Sequence, residues 1–171
     1  MRILAISGSL RAASSNSRLL EAAAALAPAG VAWVRYEDLG ELPHFNPDIE
    51  ARGLPAPVAA LRAQVAAAGA IVISSPEYAH GVPGSLKNAL DWLVSGVELP
   101  GKPVALFNPS ATSTHAQAAL VEILTTMSAR VIADATVTLP LGAKKLEVAG
   151  MIADPAIAAA IRAAIAALRK A

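Results

Sequence analysis

Residues 3–17 read Ile-Leu-Ala-Ile-Ser-Gly-Ser-Leu-Arg-Ala-Ala-Ser-Ser-Asn-Ser. Four apolar residues are followed by a polar turn, and the turn leads into a segment with apolar residues at helical spacing, Leu19, Ala23 and Leu26. Strand, turn and helix in this order form the opening unit of a parallel sheet, because parallel neighbours must be joined by a crossover that is usually a helix. This stretch therefore predicts a first strand that ends at a loop rich in hydroxyl groups.

The same alternation of short apolar runs and helix-period segments continues along the rest of the sequence. Further strands are predicted at 31–34, 70–73, 104–107 and from 131 to roughly 137. The alternation predicts an α/β fold, a three-layer sandwich in which a five-stranded parallel sheet of order 2-1-3-4-5 lies between two layers of helices. Ligands of such sheets bind beyond the carboxyl ends of the strands, where the order reverses. The loops after strands one, three and four, at 7–17, 74–85 and 108–115, are therefore expected to share one site.

The composition excludes several classes of protein. The 171 residues are expected to form a single domain, 1–171. Fourteen Lys and Arg against thirteen Asp and Glu give a net charge of +1 without runs of like charge, so nucleic acid is not an expected partner. No apolar run reaches the roughly 20 residues that a membrane-spanning helix needs. The sequence contains no cysteine, which excludes thiolate catalysis and is compatible with the cytoplasm, so any redox chemistry must come from a bound cofactor.

The loop after the first strand is a candidate phosphate site. Backbone N–H groups and the helix dipole at the start of a helix attract anions, hydroxyl and amide groups can donate to phosphate oxygens, and Arg11 can add charge. The candidate residues are Ser9, Arg11, Ser14, Ser15, Asn16 and Ser17. The loop has neither a Gly-Lys-Ser/Thr sequence nor a G-x-G-x-x-G fingerprint, so it is expected to bind phosphate without hydrolysing a nucleotide. The alternative is that these residues only form turns and a helix cap, with Ser17 as a candidate cap.

The loop after the third strand has a restricted backbone path. Residues 76–85 read Pro-Glu-Tyr-Ala-His-Gly-Val-Pro-Gly-Ser, and fixed backbone groups can bind the edge of a flat heteroaromatic ring, with Tyr78 available for stacking. Glu77 is interpreted as a loop anchor or subunit contact more readily than as an acid. His80 is either a proton donor or a simple loop residue. A structural role is favoured for the residues that follow, Lys87, Asn88, Asp91 and Trp92.

Two sequence patterns together resemble those of the NADPH-dependent FMN reductase family, whose members include quinone, azo-dye and chromate reductases. The first is Gly8-Ser9-Leu10-Arg11 followed by Ser14 and Asn16. The second is Pro76-Glu77-Tyr78 followed by Pro83-Gly84-Ser85-Leu86-Lys87-Asn88-Ala89-Leu90-Asp91-Trp92. The resemblance extends over nearly the whole chain. It implies a flavodoxin-like fold, FMN as the cofactor, NADPH or NADH as the electron donor, and a homodimer or homotetramer.

The resemblance also implies roles for individual residues. Ser9, Arg11, Ser14, Asn16 and Ser17 match the family's phosphate positions, and Pro76, Glu77, Tyr78, Ala79, His80 and Gly81 match its isoalloxazine loop. Ser15 and Ser110 are further candidates for cofactor binding. The chain departs from the family pattern at Ala79, where many relatives have asparagine, and in the loop 108–115, which is glycine-rich in many relatives. No catalytic side chain is assigned, because the flavin carries the hydride chemistry.

Two functions remain open at the level of the sequence. The first is an NAD(P)H-dependent oxidoreductase that passes hydride through bound FMN, in a ping-pong reaction, to a small acceptor such as a quinone, an azo compound or a flavin. The second is a flavodoxin-like electron carrier or FMN-binding module without nicotinamide oxidation. Electron carriers of that kind tend to be strongly acidic, whereas this chain is nearly neutral. No metal site is expected, because the three histidines are scattered along the sequence.

Overall fold

Apolar runs bounded by polar turns form the strands, and the longer segments between them form helices. The computed structural model describes residues 1–141 and 147–171. The strands are β1 (Arg2–Ser7), β2 (Ala32–Tyr36), β3 (Ala70–Ser74), β4 (Pro103–Asn108), β5 (Arg130–Val131) and β6 (Val137–Thr138). The helices are α1 (Ser15–Leu26), α2 (Pro47–Glu50), α3 (Ala56–Ala67), α4 (Gly84–Asp91), α5 (Thr114–Thr126), α6 (Val148–Ala153) and α7 (Pro155–Lys170). The short helices α2 and α6 were not predicted by the sequence pattern.

The sheet is parallel and has the predicted strand order. Its strands follow one another as β2-β1-β3-β4-β5, with Ile3 of β1 opposite Trp33 of β2 on one side and Ala70 of β3 on the other. All five residues of β3 are buried, because helices cover this central strand on both faces. The chain therefore has the flavodoxin-like fold, and the order reverses between β1 and β3 as expected.

The fifth strand of the prediction is wrong in one respect. Instead of one strand from 131 to about 137, the structure has β5 and β6 separated by a 3₁₀ turn at Ala133–Ala135, and both strands pair with β4. At the interruption between β5 and β6, the side chain of Thr136 makes hydrogen bonds in place of the main-chain ladder. Its Oγ1 accepts from Leu106 N at 3.2 Å and donates to Ile132 O at 3.1 Å. The described sheet therefore has six strands rather than five.

Side chains on the two faces of the sheet pack into two cores. Successive residues of a strand point to opposite faces, so Ile3 and Ala5 of β1 belong to the core under α1 and α7, whereas Leu4 and Ile6 belong to the core under α3, α4 and α5. The three predicted layers are thus confirmed. Of the helices in the described ranges, none combines the length and hydrophobicity that crossing a bilayer requires.

Helix α4 anchors the long connection that follows β2. The buried Trp92 donates through Nε1 to Pro43 O at 2.7 Å, and its ring meets Phe45 edge-on with centroids 5.0 Å apart. Asn88 donates to Pro43 O at 3.0 Å and accepts from Phe45 N at 2.7 Å. The structural interpretation of Asn88 and Trp92 is therefore confirmed. The remaining two residues of the motif form the expected i,i+4 ion pair, Lys87 Nζ to Asp91 Oδ1 at 2.6 Å.

Candidate functional site

A cleft of about 490 Å³ lies at the carboxyl ends of the central strands. It is lined by Ser15 and Asn16, by residues 75–77, by residues 109–113 and by Pro140. Apart from Pro140, which follows β6, these residues belong to the segments after β1, β3 and β4, so the three segments meet at one cleft as expected. The lining is made mostly of hydroxyl groups, prolines and main chain, and Ser110 is among the lining residues, while its contact with a cofactor stays a prediction.

The close approach of the loop after β1 to the loop after β3 depends on Gly8. Its N–H donates to Ser74 O at 2.8 Å, and a Cβ atom at this position would lie 2.8 Å from Ser75 Oγ and 3.0 Å from a methyl group of Leu86. Atoms at such distances overlap, so the glycine is required by the neighbouring loop and not by an unusual φ angle. The two loops consequently reach the same edge of the cleft.

Several candidate phosphate residues are hydrogen-bonded within the protein. Ser14 is the N-cap of α1, and its Oγ accepts from Asn16 N at 3.2 Å and Ser17 N at 3.5 Å. The side chain of Asn16 accepts from Ser74 Oγ at 2.9 Å, and Ser17 Oγ donates to Ser7 Oγ at 3.0 Å. The cap is therefore Ser14, and the suggestion that Ser17 caps the helix is wrong, because the helix begins one residue after Ser14.

The phosphate candidates are divided between the cleft and a second, smaller pocket of about 170 Å³ on the β2 side of the loop. Ser9, Arg11 and Ser17 line it, whereas Ser15 and Asn16 line the larger cleft. Arg35 also lines the small pocket and bonds to Glu37 through Nε at 2.7 Å and to Glu21. The bond to Glu37, opposed in part by burial, raises the pKa of Arg35. Arg11 is exposed at the mouth of the loop.

The loop after β3 contains a tight hairpin at residues 78–81. Tyr78 and Gly81 exchange two main-chain hydrogen bonds of 3.1 and 3.0 Å, and the two residues between them, Ala79 and His80, have φ angles of 49° and 58°. Two successive left-handed residues are the geometry of a type I′ turn, where asparagine and glycine are preferred. Ala79 therefore occupies a conformation that asparagine or glycine adopts more easily than alanine. Tyr78 is 53% exposed at the hairpin.

Two side-chain contacts join this hairpin region to helix α5. Glu77 Oε2 accepts from Ala116 N at 2.8 Å, so the interpretation of Glu77 as a loop anchor is confirmed. The ring of His80 stacks on that of His115, with centroids 4.2 Å apart and planes inclined by 18°. His80 as a proton donor stays a prediction.

Asn108 organises the loop after β4, a role that the sequence analysis missed. Its buried side chain donates to Ser113 O at 3.1 Å and accepts from Ser110 N at 3.0 Å, and Ser110 and Thr112 share a hydroxyl hydrogen bond of 3.0 Å. The available signal was a polar residue at the end of an apolar run, as at Ser7 and Ser74. Through Asn108, serine and threonine form the wall where many relatives have glycine.

Comparisons with known proteins agree with the fold and the motifs. The sequence model of a family described as NADPH-dependent FMN reductase matches residues 1–144. The chain is 41% identical over 113 residues to an NAD(P)H-dependent FMN reductase of Pseudomonas aeruginosa, covering 65% of this chain and 60% of that protein. It is 36% identical over 109 residues to a quinone reductase of Escherichia coli, covering 62% and 58%. The chain thus matches less than two thirds of the length of these relatives.

Solved structures of flavoenzymes share the whole fold. The flavoenzyme NAD(P)H:(acceptor) oxidoreductase FerB of Paracoccus denitrificans superposes with a TM-score of 0.76 at 24% identity, covering 99% of this chain and 97% of that one. An NADH:FMN oxidoreductase in its apo form gives a TM-score of 0.70 at 22% identity, covering 99% and 88%. At these identities the likeness establishes the fold.

Proposed function

The chain belongs to the NADPH-dependent FMN reductase family, and from this membership we propose that it binds FMN and transfers electrons from NADPH or NADH to a small acceptor. The single observation that carries the proposal is the cleft at which the loops after β1, β3 and β4 meet. The proposal treats residues 1–171 as one FMN-binding domain.

The donor set around the cleft fits FMN. The start of α1 lines the cleft through Ser15 and Asn16, and its helix dipole attracts a phosphate. Ser9 and Arg11 line the smaller pocket on the β2 side of the same loop, from which they would add a hydroxyl group and a positive charge. Pro76–Gly81 would contact the ring, with Ser110 on the opposite wall. A volume of about 490 Å³ is within the range of small-molecule sites. We assign Ser14, Asn16 and Ser17 a supporting part, because their side chains hold the loop in shape.

When bound, FMN supplies the two-electron redox chemistry. The chain's own residues bind and orient: the hairpin fixes main-chain groups beside the ring, and the wall at 109–113 presents hydroxyl groups to the ligand. The exposed Tyr78 offers an aromatic surface to a planar donor or acceptor. The nicotinamide and the acceptor would use the open side of the cleft in succession, which gives ping-pong kinetics. His80 remains our candidate for donating a proton to a reduced acceptor.

The relatives guide the choice of acceptor. We propose a quinone, an azo compound or a flavin, and the quinone reductases among the relatives favour the quinone. A homodimer or homotetramer is proposed from the family resemblance and is supported by Val94 and Val97, which are 62% and 86% exposed after α4. The cysteine-free sequence and the net charge of +1 support action in the cytoplasm without nucleic acid or membrane partners.

The test is a titration followed by reduction. Purified protein is titrated with FMN, and the complex is then mixed anaerobically with NADPH or NADH while flavin absorbance is recorded. We expect stoichiometric uptake and rapid bleaching by one of the two nicotinamides, followed by reoxidation with a quinone. A protein that takes up no FMN refutes the proposal. A yellow protein that neither nicotinamide bleaches favours the electron-carrier alternative.

A further inference from the structure

The two walls of the cleft belong to different strands. Residues 75–77 follow β3, and residues 109–113 follow β4. The paired register of these strands ends at Ile73 and Leu106. Beyond this point the walls need contacts other than the sheet ladder to keep a fixed separation.

Glu77 provides the first of these contacts. Ala116 is the third residue of α5, and its N–H is one of the four at a helix start without an intrahelical partner. The N-cap residue Ser113 makes no side-chain capping bond, so the carboxylate of Glu77, 39 positions earlier, takes over the capping. Ala116 is 2% exposed, so loss of this acceptor would leave a buried N–H without its partner.

The stack of His80 on His115 provides the second contact. His115 is the second residue of α5, adjacent to the residue that Glu77 caps. His80 and Ala79 both hold left-handed φ angles that favour other residue types, and such conformations persist where the surroundings fix them. The ring stack and the carboxylate cap therefore hold the hairpin by a pair of contacts to one helical turn.

We propose that Glu77 and His115 are positioning residues that fasten the hairpin 78–81 to α5 and so hold the cleft in the shape that binds FMN. The inference rests on the proposed function insofar as FMN is the ligand. If the hairpin is attached to α5 only part of the time, the apparent affinity for the ligand equals the intrinsic affinity multiplied by the attached fraction. His115 acts through the hairpin and is not among the residues that line the cleft, whereas Glu77 both caps α5 and lines the cleft.

The first experiment needs no FMN. Hydrogen exchange of the Ala116 amide is measured by NMR in FMN-free protein for the wild type, Glu77→Ala, Glu77→Gln and the control His44→Ala, which changes the exposed histidine outside the contact. We expect Glu77→Ala to accelerate exchange at least about tenfold, since an acceptor is lost, whereas Glu77→Gln keeps an oxygen acceptor and stays within about threefold. Equal exchange in the wild type and Glu77→Ala overturns the proposal. If Glu77→Ala does not fold, exchange of the Ala116 amide is compared between His115→Ala and His115→Phe. Faster exchange in His115→Ala supports the proposal, and equal exchange overturns it.

The second experiment measures FMN dissociation constants by quenching of flavin fluorescence. Glu77 lines the cleft and could act directly, so His115 is the diagnostic residue. We expect about tenfold weaker binding for His115→Ala, binding within about threefold of wild type for His115→Phe, whose ring can still stack, and no change for His44→Ala. The double variant Glu77→Ala/His115→Ala should lose less than the product of the single effects, because both contacts serve one attachment. His115→Phe binding as weakly as His115→Ala overturns the proposal. A wild type that binds no FMN refutes the proposed function, and the exchange experiment still decides the attachment.

Discussion

Replacing Gly8 by alanine tests the close approach of the first and third loops. The added Cβ would lie 2.8 Å from Ser75 Oγ, 3.0 Å from Leu86 Cδ2 and 3.2 Å from Ser75 Cα, so a side chain and a backbone atom must both move. Overpacking of this kind costs about 1–3 kcal/mol. With an unfolding entropy of about 2.1 cal/mol/K per residue, this corresponds to a fall in Tm of about 3–8 °C for a chain of this length. Because the displaced loops line the cleft, FMN affinity should fall as well.

The assay is urea unfolding followed by tryptophan fluorescence, which reports the fully buried Trp92 together with the partly buried Trp33 of β2. Gly84→Ala is the matched control, since nothing lies within 4 Å of its Cβ position at the start of α4, and we expect stability within about 0.5 kcal/mol of wild type or slightly above it. Ser75→Ala should recover part of the loss in Gly8→Ala, because it removes the closest atom. The reasoning is refuted if Gly8→Ala unfolds at the same urea concentration as the wild type.

Three further predictions concern single groups. Asp154→Ala should lower the free energy of unfolding by about 1 kcal/mol in urea titrations, because Asp154 Oδ1 caps α7 by accepting from Ala156 N and Ile157 N, and an unchanged midpoint would contradict the capping role. Burial, with a smaller contribution from Asp38, raises the pKa of Tyr36 to about 12, so the unfolded state loses this proton first and stability should fall as pH rises from about 10 to 12. Tyr36→Phe should lack that fall, which ultraviolet titration and urea unfolding at pH 9 to 11.5 can check. Arg11→Ala should weaken FMN binding about tenfold in fluorescence titrations and leave the free energy of unfolding unchanged, and unaltered affinity would remove Arg11 from the phosphate site.

Elements covered on both faces were predictable from the sequence. The apolar runs of β1, β3 and β4 are continuous because helices bury both sides. Asp154 followed by Pro155 at the start of α7 is likewise a pattern typical of a capped helix start. The fifth strand was misjudged because strand-forming residues flank Ala133-Asp134-Ala135 on both sides, as Val131 and Ile132 before it and Thr136 and Val137 after it. In the structure these three residues form a 3₁₀ turn, and the side-chain bonds of Thr136 mark where the backbone leaves the ladder.

The site was predictable in its location and less so in its internal contacts. Hydroxyl-rich and proline-bounded loops at the strand ends indicated where a ligand would bind, since parallel strands bring those ends together. Ser14 and Ser17 lie three residues apart and both suit a helix cap, so the choice between them depended on where the helix starts. The contacts of Glu77 with Ala116 and of His80 with His115 join residues that are far apart in sequence, and each side chain alone carries no sign of its partner.

The interrupted fifth strand affects how the protein behaves at high concentration. A long straight edge strand offers unpaired N–H and C=O groups to another chain and is a starting point for aggregation. At one border of this sheet β5 and β6 have only two residues each with a 3₁₀ turn between them. At the other, β2 carries Arg35 with its two carboxylate partners. Among the described residues, the border at β5 and β6 presents no continuous template and the five-residue β2 border carries charged side chains, so fibre formation through the sheet edges is expected to be disfavoured.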